Sequence, residues 1–141
     1  MRIRNFSLTD YDEVVSLWKE CNLEIRAGDG IKEIRTKILR DPEFFLVAVE
    51  DGEIIGSVMG AWDGRRGWIY HLGVLPSYQR TGVASRLVKE VERRMKKKGV
   101  VKVNALVYEW NSNSLKFFKK MGYEADRTTI FHGKHLRRES P

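Results

Sequence analysis

The chain has 141 residues, of which 42% are hydrophobic, and this amount of apolar side chain is enough to build the core of one domain. It carries 26 Lys and Arg against 19 Asp and Glu, for a net charge of +7, and its single cysteine excludes an internal disulfide. The sequence contains no run of about 18 apolar residues and no secretory signal, so we expect a cytoplasmic protein, with one domain at 1–136 and a tail at 137–141.

In the first half of the chain, the spacing of apolar residues distinguishes the predicted strands from the predicted helices. In chain order they are a strand at 2–6, a helix after Thr9 and Asp10, a helix from Ile31 to the stop at Asp41 and Pro42, and strands at 44–49 and 53–61. The first helix places Cys21 beside Trp18, which favours a core position for the thiol over a nucleophile. Asp51 and Gly52 are a strong hairpin signal and make the two later strands antiparallel.

The segment from Leu72 to Val88 is the most informative part of the chain. It contains the end of an apolar strand at 68–74, a turn with one glycine, and a helix whose apolar residues recur every four positions and which ends at Gly99. Such a turn presents free backbone N–H groups and the positive end of a helix dipole to one small volume. The pattern therefore predicts a site for a phosphate or pyrophosphate around Gly82.

The remaining predicted elements determine the fold class. They are a strand at 100–108, a helix at 111–120 with Asn111 as its N-cap, and a last strand at 128–131. A crossover helix joins the strands at 68–74 and 100–108, so these two run parallel. The order β-α-α-β-β-β-α-β-α-β predicts an α+β domain of three layers, with a mixed, mostly antiparallel central sheet of six or seven strands and about four helices.

Two motifs carry a resemblance to a known family. The stretch Gln79-Arg80-Thr81-Gly82-Val83-Ala84 resembles the Gln/Arg-x-x-Gly-x-Gly/Ala signature of the GNAT superfamily, the acetyl-CoA-dependent N-acyltransferases. Downstream, the stretch from Asn111 to Tyr123 resembles the Asn-x-x-Ala/Ser-x-x-Leu/Phe-Tyr-x-x-x-Gly-Phe/Tyr segment of that superfamily. Gly67 to Tyr70 and Gly133 to Leu136 look most like its YpeA-like subgroup. The predicted order of elements is also the order that a GNAT domain would have.

The resemblance implies a site for acetyl-CoA as cosubstrate, with the turn around Gly82 binding the pyrophosphate through backbone N–H groups. The expected cofactor-binding residues are Leu72, Gly73, Val74, Gln79, Arg80, Thr81, Gly82, Val83, Ala84, Ser85, Asn111, Ser114, Phe117 and Phe118. Leu72 and Val74 resemble family positions whose main chain bonds the pantetheine amide and the thioester carbonyl. The pantetheine arm is expected between the strands at 68–74 and 100–108, which splay apart in the family.

The general acid departs from the family pattern. Phe118 stands where many relatives carry a tyrosine that can protonate the departing thiolate, and phenylalanine has no O–H group. Water, Tyr108 or Tyr123 would have to replace it, although Tyr123 also reads as a packed ring.

The general base also departs from the family pattern. Trp68 and Leu106 stand where relatives carry a carboxylate or histidine, and neither accepts a proton. An ordered water relay is the favoured single answer, and the side chains that remain as candidates are His71, Tyr70, Tyr108, Glu109 and Glu24. His71 has the side chain type that titrates near neutral pH, but alternation along its strand leaves open whether it faces a helix on the far side. We take His71 and Tyr108 as the catalytic candidates.

The sequence does not identify the acceptor substrate. We expect its groove to be made by residues 24–39, the turn at 63–67 and the last strand, where Glu24, Asp29 and Glu33 either attract a cation or are solvated. The favoured function is acetyl transfer from acetyl-CoA to a primary amine of a small molecule or protein. The alternatives are N-terminal acetylation of ribosomal-type proteins and a non-catalytic acyl-CoA-binding regulatory module.

The distribution of charge bears on the expected partners. The basic excess is concentrated at 93–98, 119–120 and 134–138, and it favours capture of a polyanionic acyl-CoA. Nucleic acid is disfavoured, because no aromatic residues interleave with the run at 93–98. His132 and His135 have no partners at metal-ligand spacing, so we expect no metal. We expect no membrane partner, and a homodimer stays open.

Overall fold

The computed structural model describes residues 1–137, so residues 138–141 of the predicted tail lie outside it. The strands are β1 (Arg2–Asn5), β2 (Phe45–Glu50), β3 (Glu53–Trp62), β4 (Gly67–Val74) and β5 (Val103–Ala105). The helices are α1 (Tyr11–Glu20), α2 (Ile31–Arg40), α3 (Val83–Lys98) and α4 (Ser112–Lys120), with 3-10 turns at Leu8–Asp10 and Pro76–Tyr78. Within residues 1–137, the helices all lack the length and apolarity of a membrane span.

The strands form one mixed sheet in the order β1-β2-β3-β4-β5. The pairs from β1 to β4 are antiparallel, and β5 runs parallel to β4. Asp51 and Gly52 both have positive φ, at +50° and +76°, as the turn of a tight two-residue hairpin requires. The α+β class, the mixed sheet and the hairpin are confirmed.

Glycines of β3 and β4 allow α3 to pack closely on one face of the sheet. A side chain at Gly56 would come within 3.1 Å of Val83 and 3.2 Å of Leu87, and one at Gly67 would meet Met95 at 2.5 Å. The buried residues of α3 recur at helical spacing and are Val83, Leu87, Val88, Val91 and Met95. The first turn of α3 is therefore held against the end of β4.

The other face of the sheet is covered by α1. Trp18 is only 1% exposed, stacks on Phe45 at 6.2 Å between ring centroids, and donates a hydrogen bond from Nε1 to Ser57 Oγ at 3.1 Å. Because both polar atoms of this bond are buried and satisfied, α1 is fixed in register across the middle of the sheet.

Two predictions about the end of the sheet were wrong. The described part of the chain has five strands, because residues 128–131 form no ladder. Asp126 instead accepts hydrogen bonds from Thr128 and Thr129, and such local bonds compete with strand pairing. The strand predicted at 100–108 is reduced to Val103–Ala105, because β4 turns away from it.

We predict that Gly56→Ala lowers the free energy of unfolding by about 1–3 kcal/mol, the usual cost of overfilling a packed core. The new Cβ would press on two α3 side chains and, at 3.3 Å, on the carbonyl of Gly73. Urea unfolding measures the change. Gly133→Ala is the matched control, since its Cβ meets its nearest atom only at 3.8 Å. Equal stability of the two variants would contradict the close approach of α3.

Candidate active site

The sheet opens between β4 and β5. The two strands pair only where residues 67–69 lie beside residues 103–105. The last contact is a hydrogen bond from Leu106 N to Ile69 O at 3.4 Å. From Tyr70 to Val74, β4 is paired with β3 alone. The result is a gap bounded on one side by residues 70–74 and on the other by the chain that follows β5.

A β-bulge in β4 accompanies the opening. His71 and Leu72 together oppose the single residue Val58 of β3, where the ladder register shifts. His71 has a φ of +47°, a left-handed conformation that residues other than glycine rarely adopt. The extra residue makes β4 bend, so its second half leaves the line of β5.

The bulge also moves the side chains that follow it to the opposite face of the sheet. A side chain at Gly67 would meet Met95 of α3, whereas one at Gly73 would meet Cys21 at 3.2 Å and other residues at the α1 end. In an unbroken strand two odd-numbered positions share a face. His71 contacts Trp18 of α1, so it lies on the α1 face, a point that strand alternation had left open.

The N-terminus of α3 lies at the mouth of this gap. The main chain is left-handed at Arg80 (φ +63°) and at the N-cap Gly82 (φ +93°), and no side chain of residues 1–137 caps the helix. Gln79 Nε2 donates to Val74 O at 3.0 Å and fixes the turn to the end of β4. The first N–H groups of α3 therefore stay available to an anion.

The space around Gly82 is open. A Cβ built there would meet no atom within 4 Å, so glycine is required by its φ and not by crowding inside the protein. Beside it, Ser85 is half-buried, with its Oγ 3.7 Å from Met121 Sδ. Val83 and Ala84 turn into the core, while Arg80 and Thr81 are exposed. The turn before α3 thus presents main chain and open space, and its role as a pyrophosphate site stays a prediction.

α4 follows β5 along the chain, and its C-terminal end lies beside α3, with Met121 Sδ 3.7 Å from Ser85 Oγ. Asn111 Oδ1 accepts the N–H of Ser114 at 3.1 Å, so Asn111 is the N-cap and its amide NH2 group stays free to donate. Phe118 is 7% exposed and packs edge-on against Phe117 and Tyr123, with both pairs of ring centroids 5.1 Å apart. Phe118 is therefore part of the core at the position where relatives carry an acid.

His71 is held by two buried residues. Its Nε2 lies 2.9 Å from Asp29 Oδ1, and its ring meets Trp18 edge-on with centroids 4.7 Å apart. Asp29 is 6% exposed, whereas the His71 side chain keeps 24% of its surface accessible. The imidazole is thus oriented by the protein on one side and open on the other.

Tyr108 lies in the segment between β5 and α4. Its ring stacks on Trp110 at 5.7 Å, and the guanidinium of Arg26 lies 5.4 Å from its centroid. Arg26 and Asp29 belong to one turn, closed by the hydrogen bond from Asp29 N to Arg26 O at 3.0 Å. This α1–α2 turn therefore bridges the two catalytic candidates, with Asp29 on His71 and Arg26 on Tyr108.

Comparison with known protein families shows to which family the chain belongs. The profile of the acetyltransferase (GNAT) family matches residues 11–123, which include α1, β4, the turn before α3 and α4. The chain belongs to the acetyltransferase (GNAT) family. It is therefore an acyltransferase with acetyl-CoA as its cosubstrate, as the two motifs predict.

Individual relatives agree with this assignment. The acetyltransferase is 41% identical over 136 residues to an acetyltransferase of Yersinia pestis, and 38% identical over 136 residues to one of Sodalis glossinidius, with 96% of each chain covered in both cases. Its fold is similar to that of the PaiA N-acetyltransferase from Thermoplasma acidophilum in complex with coenzyme A, at a TM-score of 0.79 and 23% identity, covering 91% of this chain and 92% of the other. The YpeA-like subgroup stays a prediction.

Other candidates for proton transfer are less suited in this acetyltransferase. Tyr123 donates to Glu92 at 2.6 Å, and burial together with this bond raises the pKa of Tyr123 well above its usual range. Burial also raises the pKa of Tyr70. The side chain of Glu109 is 90% exposed, and Glu24 is 65% exposed and paired with Arg26 at 2.5 Å. His71 alone combines orientation by a buried partner with access to the gap.

Asp29 is the functional candidate whose role the sequence does not reveal. The sequence places it in a turn-rich segment as an acid that either attracts a cation or is solvated, but the structure buries it against His71, which is 42 residues away in sequence. The one local signal is the pair Gly28 and Gly30 around it, which marks a special turn without naming its contact. The contact between Arg26 and the ring of Tyr108 was missed for the same reason, because these two residues are also far apart in sequence.

Proposed function

We propose that this acetyltransferase transfers an acetyl group from acetyl-CoA to a primary amine of a small molecule or protein, by direct attack in a ternary complex. The observation that carries the proposal is the gap between β4 and β5, which opens beside the uncapped N-terminus of α3. The helix terminus suits a pyrophosphate, and a narrow gap between strands suits an extended pantetheine arm.

The pyrophosphate is bound by the main chain of the turn from Gln79 to Ser85. The N–H groups of Val83, Ala84 and Ser85 begin α3 and have no side-chain cap, so they donate to the phosphate oxygens. The open space at Gly82 is where the anion approaches. The net charge of +7 adds a long-range attraction for a polyanionic ligand.

The pantetheine arm lies between two walls. One wall is the main chain of Leu72, Gly73 and Val74, which follows the bulge and is no longer paired with β5. The other wall is formed by α4, where the free amide of Asn111 donates to the cosubstrate and Ser114, Phe117 and Phe118 line its far side.

The reaction then needs two proton movements. The acceptor enters as an ammonium, because an alkyl amine has a pKa near 10.4, and His71 removes its proton. The neutral nitrogen attacks the thioester carbon, so that a C–N bond forms and the C–S bond breaks. The carbonyl oxygen gains negative charge during attack and accepts hydrogen bonds from the main chain of β4. The attacking nitrogen is positively charged once the C–N bond forms, so it loses a second proton, and Tyr108 or water carries this proton to the departing thiolate.

An assay with a panel of amines tests the proposal. The purified protein is mixed with acetyl-CoA and alkyl diamines, aminosugars or peptides with free N-termini, and thiol release and acetylated product are both measured. We expect saturable thiol release that matches product for at least one amine class, above the rate without acceptor. Tight acetyl-CoA binding without transfer to any class would contradict the proposal and favour an acyl-CoA-binding regulatory module. Transfer to peptides alone would favour protein N-terminal acetylation.

A further inference from the structure

We infer that Asp29 is a positioning residue that fixes the tautomer of His71, with the proton on Nε2, and thereby makes Nδ1 the atom that removes the proton from the acceptor. The inference deepens the proposed function and rests on it, since it assigns the working atom of the proposed base. It also gives the α1–α2 turn a defined role in the reaction.

The hydrogen bonds of the Asp29 carboxylate require this tautomer. An ionised carboxylate only accepts hydrogen bonds, so the nitrogen 2.9 Å from Asp29 Oδ1 must be the donor. A neutral imidazole has a single N–H group, and when Nε2 carries it, the lone pair is on Nδ1. Within residues 1–137, no protein group bonds to Nδ1 of His71. The basic nitrogen is therefore left for a substrate.

Asp29 itself is rigidly held, so it sets the position of His71 and is not set by it. Its second oxygen, Oδ2, accepts the backbone N–H of Arg26 at 2.9 Å, and its backbone carbonyl accepts the hydroxyl of Tyr11 at 2.7 Å. With Oδ1 bonded to His71, both carboxylate oxygens are used, and the bond from Tyr11 anchors the turn to α1. When His71 takes up a proton, the same carboxylate stabilises the imidazolium.

The geometry of His71 limits its other orientations. The left-handed φ of +47° fixes the direction of its Cβ, and Trp18, which is 1% exposed, covers part of the ring. The His71 side chain keeps 24% of its surface accessible. Of its two ring nitrogens, Nδ1 is the one that has no bond to a group of residues 1–137.

Asp29→Asn tests the tautomer directly. The asparagine oxygen can keep the bond from the N–H of Arg26, which turns its NH2 group toward His71 and makes Nε2 an acceptor. We expect nitrogen NMR of ¹⁵N-histidine-labelled protein, without cosubstrate or acceptor, to show the proton on Nε2 in the wild type and on Nδ1 in Asp29→Asn. We also expect kcat to fall at least about tenfold while KM changes less, because the wrong tautomer lacks the basic atom.

Two further variants separate positioning from folding. Asp12→Asn makes the same substitution at an exposed carboxylate of α1 and keeps the Asp29–His71 pair, so the Nε2–H tautomer and kcat should stay at the wild-type values. Asp29→Glu restores a carboxylate and should bring back the Nε2–H tautomer. A wild-type His71 with its proton on Nδ1, or Asp29→Asn with wild-type tautomer and kcat, would overturn the inference. A protein that transfers no acetyl group to any amine would overturn the proposed function, whereas the NMR result tests the Asp29–His71 pair independently.

Discussion

Gly82→Glu abolishes acetyl-CoA binding while the domain stays folded. The new carboxylate would stand in the open space before α3, where the pyrophosphate is expected, and it would both occupy the anion site and repel its charge. We expect the dissociation constant to rise at least about a hundredfold, which corresponds to about 2.7 kcal/mol. Titration calorimetry with acetyl-CoA measures this change, and circular dichroism measures the fold.

The fold should survive because the cost of the substitution is local. A residue other than glycine at a φ of +93° costs about 1–2 kcal/mol, and an acidic side chain at a helix N-terminus interacts favourably with the helix dipole. Gly99→Glu is the matched control, since Gly99 ends the same helix with a φ of +96° and equally open space. Normal binding of acetyl-CoA by Gly82→Glu, or equal loss of binding in both variants, would show that the pyrophosphate does not bind at this turn.

Local patterns predicted the elements that depend on neighbouring residues. The hairpin at Asp51 and Gly52 needs positive φ at adjacent positions, which this dipeptide adopts readily. α3 follows from apolar spacing and a glycine at each end, both with left-handed φ. In these segments the side chains that decide the structure lie within a few residues of each other, so the sequence is sufficient.

The features that depend on distant contacts were not predictable in this way. The bulge at His71 and Leu72 falls on residues that are neither glycine nor proline, and it depends on how β4 lies against β3. The burial of Asp29 depends on a partner 42 positions away. At Thr128, high strand propensity was overcome by hydrogen bonds to Asp126. The turn and helix around Gly82 were thus predictable, while the orientation of the candidate base was not.

His71→Ala lowers the rate of acetyl transfer near neutral pH by about a hundredfold or more, the usual contribution of a general base. Without the imidazole, only the small fraction of acceptor that is already neutral can attack. The variant should therefore gain rate steadily as pH rises toward the pKa of the amine, near 10.4 for an alkyl amine. The wild type should reach its maximal rate at a lower pH than the variant, because its acceptor does not have to lose the proton to solvent.

The ratio of the wild-type rate to the His71→Ala rate, measured across pH, distinguishes a general base from a structural residue. If His71 acts as the base, the ratio of wild type to His71→Ala is largest near neutral pH and shrinks at high pH, because the amine then loses its proton to solvent. A merely structural defect would lower the rate by the same factor at every pH. His132→Ala, which removes an exposed histidine bonded to the carbonyl of Ile130, should leave the whole profile unchanged. Equal rates for His71→Ala and the wild type at every pH would instead assign the proton to an ordered water relay, and the Asp29–His71 pair would then have no part in proton transfer.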